Sequence, residues 1–496
     1  MNRAERACTN CGTTLSKYNP DRQCALCSRM EATPRIPDRA WRDEQVSRAL
    51  AAWDFGEVLR LVRRRSGASQ MTVRSLTGLT QSFISDLENG RKQAGSRDAI
   101  IDLLNGLGLP ADLQPLLLAP FRTPEQPQTP GTPDPALPWT TDRMVTSLDE
   151  AVGGAMKRRK VLALGGAGLT QYVLQSAIAP AEAMAASSPD GTRVTAPLVE
   201  SLQATTDALR QVDATSGSGT LAGTARAHLK VILGLVKHGT YDERTGRRLA
   251  AVTADTAIQT GWYTFDGGAH TAAQRLFLGA LRAAHASGDS RLRAAALSFL
   301  AIHGYSVGNP RDAITAARTA RQSIGDQDSP ALHAMLLTRQ ARGHARLRED
   351  RHAMAALDEA EKLRAQGPGE HDPHWLYWIN QGEILGQKGS CHLDLARPTE
   401  AAAAFDAARD TLNKEDARTR AQFLTRAATA QMRAGDADTG CATGQEVLTL
   451  VDGIHSARLD EHLHAMLREV SQFGTAAPAR ALLERGRTVM KERATT

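Results

Sequence analysis

The chain has 496 residues, which is too long for a single hydrophobic core and predicts several domains. Aromatic residues make up only 4% of the chain and valine–isoleucine alternation is scarce, which argues against a sheet-based fold and predicts an all-α protein. The net charge is +6, and residues 1–122 hold 18 Lys+Arg against 13 Asp+Glu, so a surplus of 5 lies at the front. This distribution favours contact with nucleic acid by the front part alone.

The front of the chain carries four of the six cysteines, as two C-x2-C pairs with twelve residues between them: Cys8, Cys11, Cys24 and Cys27. Each pair can bring two thiolates to one ion, and four thiolates complete a closed tetrahedral site that suits zinc. An iron–sulfur centre and a redox dithiol are the alternatives. Because a segment this short cannot bury enough core alone, we expect a structural zinc ribbon over residues 1–33. Cysteine usage and the absence of an apolar leader in the first 30 residues predict a cytoplasmic protein.

Residues 70–92, QMTVRSLTGLTQSFISDLENGRK, have the pattern of two short helices joined by a tight turn. Val73 and Leu76 give the first helix an apolar side, and Gly78 ends it. Thr80 is placed to cap the second helix. The apolar residues of that helix recur at helical spacing and are expected to point inward: Phe83, Ile84 and Leu87.

The polar residues near the start of this second helix are left on its outer side: Gln81, Ser82 and Ser85. Amide and hydroxyl side chains at the start of a recognition helix are suited to base edges in the major groove. Arg91 and Lys92 follow the Asn-Gly that closes the helix and are placed for phosphates. The pattern therefore predicts a helix-turn-helix that reads double-stranded DNA.

This run resembles the phage-repressor-like (XRE-type) helix-turn-helix family, with a five-helix domain over about residues 55–121 inside a domain at 50–121. The resemblance implies that Gln70 contacts DNA and that Glu88 holds the loop rather than reading bases. Arg74 departs from the family, which usually has a small alanine there. The complete expected DNA-contact set is Gln70, Thr80, Gln81, Ser82, Ser85, Arg91 and Lys92.

A first helix is expected over residues 55–66, and it ends in Arg63, Arg64 and Arg65. Three adjacent guanidinium groups can meet phosphates, but a solvated run of charge is an equal reading of the same residues. Six prolines then fall within residues 122–138, so residues 122–141 are expected to form an extended linker between domains.

Residues 142–194 are interpreted as a connector with an apolar segment, because 21 uncharged residues run from 161 to 181. A twin-arginine pair precedes them, but an export signal would stand at the N-terminus. A membrane span is the alternative, since the length is adequate. Several glycines and glutamines make the run only weakly apolar, so we expect a buried connector or a dimerisation helix, and no membrane association.

Residues 195–496 read as consecutive helices, and three of them align: NPRDAITAARTARQ, DRHAMAALDEAEKL and RPTEAAAAFDAARDTL. Small residues at matching offsets let one helix pack closely on its predecessor. The matched residues are Ala313/Ala316/Ala320, Ala353/Ala356/Ala360 and Ala401/Ala404/Ala408. The expected packing helices cover residues 297–305, 332–347 and 375–393. The arrangement resembles a tetratricopeptide-repeat (TPR-like) α-solenoid, whose groove usually binds a peptide, a protein segment or a small molecule.

Several of the few aromatic residues fall in this region, with two histidines nearby, and they could line a ligand site: Trp262, Tyr263, His371, His374, Trp375, Tyr377 and Trp378. Packing in the core is the alternative for each of them. His455, His462 and His464 lack the spacing of a metal site and are expected on a solvated helix surface. No phosphate loop, dinucleotide fingerprint or nucleophile elbow is present in the sequence, so we expect no enzyme.

The sequence therefore predicts a cytoplasmic, DNA-binding transcription regulator with a zinc ribbon, an XRE-type domain and a TPR-like domain that senses a signal or forms a homodimer. This order is similar to the XRE/TPR regulators common in actinomycetes such as Streptomyces. The alternative is a TPR interaction scaffold, tethered to a membrane through residues 161–181, in which DNA binding is secondary.

Overall fold

The computed structural model describes residues 36–51, 54–77, 79–91, 103–104, 107–110, 137–153, 164–180, 182–186, 188, 191–219, 221–325, 329–367, 369–412 and 416–493. These parts of the chain are helical and contain no β-strand, so the all-α prediction is confirmed for them. The chain divides into two compact units, Met1–Gln126 and Pro127–Thr496. The four predicted zinc ligands and Lys92 lie outside the described residues.

Between residues 36 and 91, the described part of the first unit forms five short helices whose apolar sides share one core. They are α1 (Asp38–Trp41), α2 (Glu44–Ala51), α3 (Phe55–Ser66), α4 (Gln70–Thr77) and α5 (Gln81–Glu88). Trp41 and Val46 are fully buried in the same core as Val58 and Ile84. Residues 36–49, which precede the domain predicted at 50–121, therefore extend its hydrophobic core.

The earliest helices described in the second unit are α6 (Thr141–Val152) and α7 (Ala167–Ile178), which pack against the helices that follow. The following helices are α8 (Ala196–Ser216), α9 (Leu221–His238), α10 (Glu243–Asp266), α11 (His270–Ser287), α12 (Ser290–Val307), α13 (Pro310–Ile324), α14 (Pro330–Arg346), α15 (Asp350–Ala365), α16 (Gln381–Asp394), α17 (Pro398–Thr411), α18 (Ala417–Arg433), α19 (Ala437–Leu450), α20 (Ala457–Ser471) and α21 (Ala477–Arg493).

These helices form a stacked array with an inner layer. Each helix from α8 to α20 contacts the next one along the chain, and each even-numbered helix from α8 to α18 also contacts the next even-numbered helix. The inner layer closes on itself, because α8 contacts α18 as well. Backbone hydrogen bonds reinforce this closure: Gly219 N–H donates to His455 O at 3.0 Å, and His455 N–H donates to Ser216 O at 3.2 Å.

The aligned alanines lie where the helices approach most closely. All are buried except Ala404, which is half-buried, while Phe405 beside it fills the core. A Cβ on Gly304 of α12 would lie 3.0 Å from Ala313 N, so α12 and α13 are nearly in backbone contact. The helix expected over 375–393 begins later than the sequence suggested. A 3-10 turn occupies His374–Leu376, and α16 begins after Asn380, whose Oδ1 accepts from Glu383 N–H at 2.9 Å.

The apolar segment that suggested a membrane span forms the short helix α7. Its Tyr172 is buried, donates to Leu278 O at 3.2 Å and accepts from Arg282 Nε at 2.7 Å. Just before α7, Gly166 N–H donates to Asp312 Oδ2 at 2.9 Å. Within the described ranges, none of the helices has the length and hydropathy that crossing a membrane requires.

Candidate nucleic-acid interface

Helix α5 is fixed at both of its ends by local hydrogen bonds. Thr80 Oγ1 accepts from Phe83 N–H at 3.4 Å at the start of the helix. At the other end, Asn89 Nδ2 donates to Ser85 O at 2.8 Å, and Gly90 follows with a φ of +67°. Capping satisfies backbone groups that a helix of this length would otherwise leave open. The helix therefore begins and ends where the sequence pattern predicts.

The rotation of α5 about its axis follows from its apolar residues. Ile84 and Leu87 are 0% and 2% exposed, which turns the other side of the helix to solvent. Gln81 and Ser82 are exposed near its N-terminus, and Ser85 is half-buried one turn later. Three polar side chains thus share the outer surface at the start of a short, well-anchored helix, which is the arrangement that base recognition requires.

The crossing of α3 over α5 depends on a glycine that sequence reasoning did not identify. A Cβ on Gly56 would lie 2.2 Å from Leu87 O, a distance that real side chains do not reach. Only glycine therefore allows α3 to approach the end of α5 this closely. The signal in the sequence is weak, because a single glycine in the first turn of a helix is also common where no second helix crosses.

Glu88 joins the three helices around the site. Its carboxylate accepts from Arg63 Nε at 2.6 Å and Nη2 at 3.1 Å, and from Gln70 Nε2 at 2.8 Å. The hydrogen bond with Glu88 raises the pKa of Arg63. The amide nitrogen of Gln70 is thereby held in place, and one of its two hydrogens remains for a phosphate. Glu88 acts as the internal anchor that the family resemblance implies.

The three arginines at the end of α3 have different surroundings. Arg63 is paired with Glu88, and Arg65 lies 2.8 Å from Asp43 Oδ2 and also donates to Gln45 Oε1 at 2.9 Å. Arg64 is exposed and has no side-chain partner among the residues described. The run that suggested three phosphate contacts thus offers one uncommitted guanidinium.

Two further cations stand on the surface of the domain. Arg91 is exposed, and its backbone N–H donates to Asp86 O at 2.8 Å, which fixes the chain as it leaves α5. Arg74 is exposed on α4, so it does not separate the helices at the position where the related domains carry a small residue.

Residues 54–117 match the family of helix-turn-helix domains. This chain carries a helix-turn-helix domain. The match begins at Asp54, whose carboxylate caps α3 by accepting from Glu57 N–H at 3.0 Å, and it ends before the second unit. No curated protein matches the chain.

The aromatic residues suspected of forming a ligand site come together in part. Four of them line one cavity of the second unit: Trp262, Trp375, Tyr377 and Trp378. Tyr263 is buried beside it, and His374 instead faces Asp207 at 3.3 Å. Arginines of the same cavity were missed as well, among them Arg418 and Arg458, which lie over the Trp262 ring at 5.1 and 5.3 Å. These two come from α18 and α20, so their proximity to α10 has no local signal in the sequence.

Proposed function

We propose that the protein is a sequence-specific transcription regulator that acts on double-stranded DNA in the cytoplasm and has no catalytic activity. The observation that supports this is the start of α5. Gln81 and Ser82 are exposed there, while Ile84 and Leu87 anchor the opposite side within the region that matches helix-turn-helix domains. Amide and hydroxyl groups so placed can pair with base edges in the major groove.

The residues around α5 divide into two roles in this proposal. Gln81, Ser82 and Ser85 read bases, and Thr80 holds the start of the helix against the DNA backbone. The phosphate contacts come from Gln70, Arg64, Arg91 and Lys92, of which Lys92 lies outside the described residues. Phosphate contacts supply affinity and register, whereas the α5 side chains supply the choice of sequence.

The test is selection of bound sequences from random DNA by the full chain. The Gln81→Ala/Ser85→Ala double variant should bind DNA without enriching any sequence, because the phosphate contacts remain. Gln366→Ala, which removes an exposed glutamine just after α15 in the second unit, is the control and should enrich the same sequence as the unmodified chain. Enrichment of that sequence by the double variant would contradict the proposed readout.

For the second unit, we propose a TPR-like domain that senses a peptide, a protein or a small molecule and holds two copies together as a homodimer. The closed inner layer of helices around an aromatic cavity supports the sensory role, whereas the homodimer rests on the sequence resemblance alone. Sedimentation of the full chain should give the mass of a dimer.

The competing function is an interaction scaffold, which the stacked helices also favour. A scaffold would not enrich any sequence from random DNA. A scaffold tethered through residues 161–181 would also be recovered with membranes on cell fractionation, whereas the burial of Tyr172 in α7 favours packing of that segment inside the protein.

We also propose one structural zinc bound by the four cysteines near the N-terminus. The support is their spacing alone, since all four lie outside the described residues. Elemental analysis should find about one zinc per chain, and a Cys24→Ser variant should lose it. A metal-free preparation that is fully folded would end this proposal.

A further inference from the structure

A second cavity, of about 140 Å³, lies in the inner layer of the second unit, beside the aromatic one. The two cavities share lining residues from four inner helices: Tyr305, Gln387, Gln422, Phe423 and Arg458. The walls of the second cavity hold four arginines against two carboxylates. These charged residues are Arg342, Arg346, Arg426 and Arg458, with Asp394 and Glu461.

The carboxylates around this cavity leave part of the positive charge unbalanced. Asp394 is shared, at 3.0 Å from Arg342 Nη2 and 3.7 Å from Arg346 Nη1. Glu461 is exposed, and no ion pair within the described ranges includes it. Asp266 is buried close enough to act electrostatically on Arg458, but its carboxylate accepts no hydrogen bond from a described residue.

Arg426 is the cation with the weakest compensation. Among described residues its one hydrogen bond is a long contact, from Nη2 to Ser390 O at 3.5 Å, and its buried Nε has no acceptor. Burial and the positive charges of Arg342 and Arg458 lower the pKa of Arg426 to about 10. The guanidinium therefore stays protonated at neutral pH, in a place where an unpaired charge is costly.

His462 on α20 adds a neutral donor to the same wall. Burial, together with the charges of Arg426 and Arg458, lowers the pKa of His462 well below its usual range. Its Nδ1 is buried and has no hydrogen-bond partner in the described structure. A neutral imidazole carries one N–H, so His462 can donate to an anion without adding charge. The solvated helix position predicted for His462 is wrong, because the side chain is half-buried and its Nδ1 is enclosed.

The other arginine of the pair is held in position by its neighbours. Arg458 Nη2 donates to Gln422 Oε1 at 2.6 Å, and its guanidinium lies over the Trp262 ring. Arg426 and Arg458 are both half-buried, and both line the cavity. A guanidinium presents several N–H groups in one plane, a geometry that matches carboxylate and phosphate oxygens.

We propose that this cavity binds an organic anion, with its carboxylate or phosphate held by Arg426 and Arg458 and its apolar body directed towards Trp262 and Tyr305. The anion supplies the negative charge that the surrounding carboxylates do not. The proposal specifies the class of ligand for the sensory role proposed above. Only the expected effect of the ligand on DNA binding rests on that role.

The experiment measures binding to the full chain by calorimetry, without DNA and at constant ionic strength. The probes are phenylacetate and phenyl phosphate, with uncharged phenylacetamide as the matched control, and inorganic phosphate to test the charge alone. A short peptide ending in phenylalanine, with a free or an amidated C-terminus, distinguishes a peptide source from a small molecule. We expect saturable binding of probes that carry a charged group, and none of phenylacetamide or the amidated peptide.

Arg426→Gln should raise the Kd of each anion that binds by about tenfold, the effect of losing one charge-assisted hydrogen bond. Arg426→Lys keeps the charge but not the paired geometry and should give an intermediate Kd. Arg480→Gln, which removes an exposed arginine of α21, should bind as the unmodified chain does. Without ligand, Arg426→Gln should unfold at the same or a higher temperature, because it removes an unpaired buried charge.

A lower unfolding temperature for unliganded Arg426→Gln would assign the arginine a structural role and overturn the proposal. So would equal binding of phenylacetate and phenylacetamide, or failure of every anion to bind. These results are independent of DNA selection, so they are separate from a failure of the Gln81/Ser85 test. If anions bind but leave the affinity for the selected sequence unchanged, the site stands and the proposed sensory role is wrong.

Discussion

The two units of this protein place their arginines in opposite surroundings. In the helix-turn-helix unit, Arg63 and Arg65 are neutralised by Glu88 and Asp43, and the uncommitted Arg64 and Arg91 face solvent. In the second unit, arginines from α14, α18 and α20 meet inside the molecule with too few carboxylates. A surface cation is already solvated and can await a phosphate, whereas an interior cation needs its counter-charge supplied within the protein or by a ligand.

The largest expected effect concerns Asp213, where α8 meets α18. It accepts from Ser218 Oγ at 2.5 Å and Trp262 Nε1 at 3.0 Å, and it lies 3.3 Å from Arg418 Nη2. Asp213→Ala leaves the buried Arg418 without this counter-charge and should lower the free energy of unfolding by about 3 kcal/mol in urea titrations.

Asp213→Asn is the matched control, because its single amide oxygen can still accept from Trp262 Nε1 and its NH2 group can donate to Ser218 Oγ, while the charge is removed. Burial raises the pKa of Asp213 even though Arg418 lies beside it. The asparagine variant should therefore lose less stability than the alanine variant. Equal losses would show that charge alone matters and that the hydrogen bonds contribute little.

A smaller effect is expected at Asp312, where a substitution should raise the free energy of unfolding rather than lower it. Asp312 is buried and accepts from Gly166 N–H. Burial raises the pKa of Asp312 from 3.8 to about 6. The folded protein therefore holds this proton more tightly than the unfolded chain does. Because the carboxyl ionises more readily in the unfolded chain, the free energy of unfolding falls as pH rises from about 4 to 6. Asp312→Asn should add about 2 kcal/mol at pH 7.5 and no gain below pH 4.

Urea titrations of the unmodified chain and of Asp312→Asn at several pH values measure this difference in the free energy of unfolding. Asp142→Asn, which changes an exposed carboxylate on α6, should follow the unmodified chain at every pH. A gain at Asp312→Asn that is constant from pH 4 to 8 would contradict the assigned ionisation.

The smallest expected effect separates the neighbouring arginines of α3. Arg64→Gln should leave the unfolding curve unchanged, weaken DNA binding a few-fold and reduce the slope of log affinity against log salt by about 1. Arg63→Gln should instead lower stability by about 1–2 kcal/mol, because Glu88 loses a bidentate partner. If Arg63→Gln changed the salt slope and Arg64→Gln did not, the contrast between paired and uncommitted arginines would fail.

The two units also differ in how much of their structure the sequence predicts. Gln81, Ser82, Ile84 and Leu87 lie within two helical turns, so spacing alone separates outer from buried residues. The first helices of the unit were missed because residues 36–51 are rich in charge, although Trp41 and Val46 pack in its core.

In the second unit, small-residue spacing predicted where α13 and α15 pack, since close approach of helices requires alanine at regular offsets. The cavity could not be predicted in this way. Trp262 and Arg458 lie 196 residues apart in the sequence and are brought together by the curvature of the whole array. His462 reads as an ordinary polar position on a helix until α18 is placed beside it.

The contact between α8 and α18 also bears on how the second unit comes apart. In an open array, repeats at one end can melt while the remainder stays folded. Here Asp213 of α8 and Arg418 of α18 form an ion pair although they are 205 residues apart in the sequence. The loss of α18 therefore also exposes α8, the first helix of the array. Denaturation should consequently be all-or-none across this array, and removal of the C-terminal helices should be far more damaging than their position at a chain end suggests.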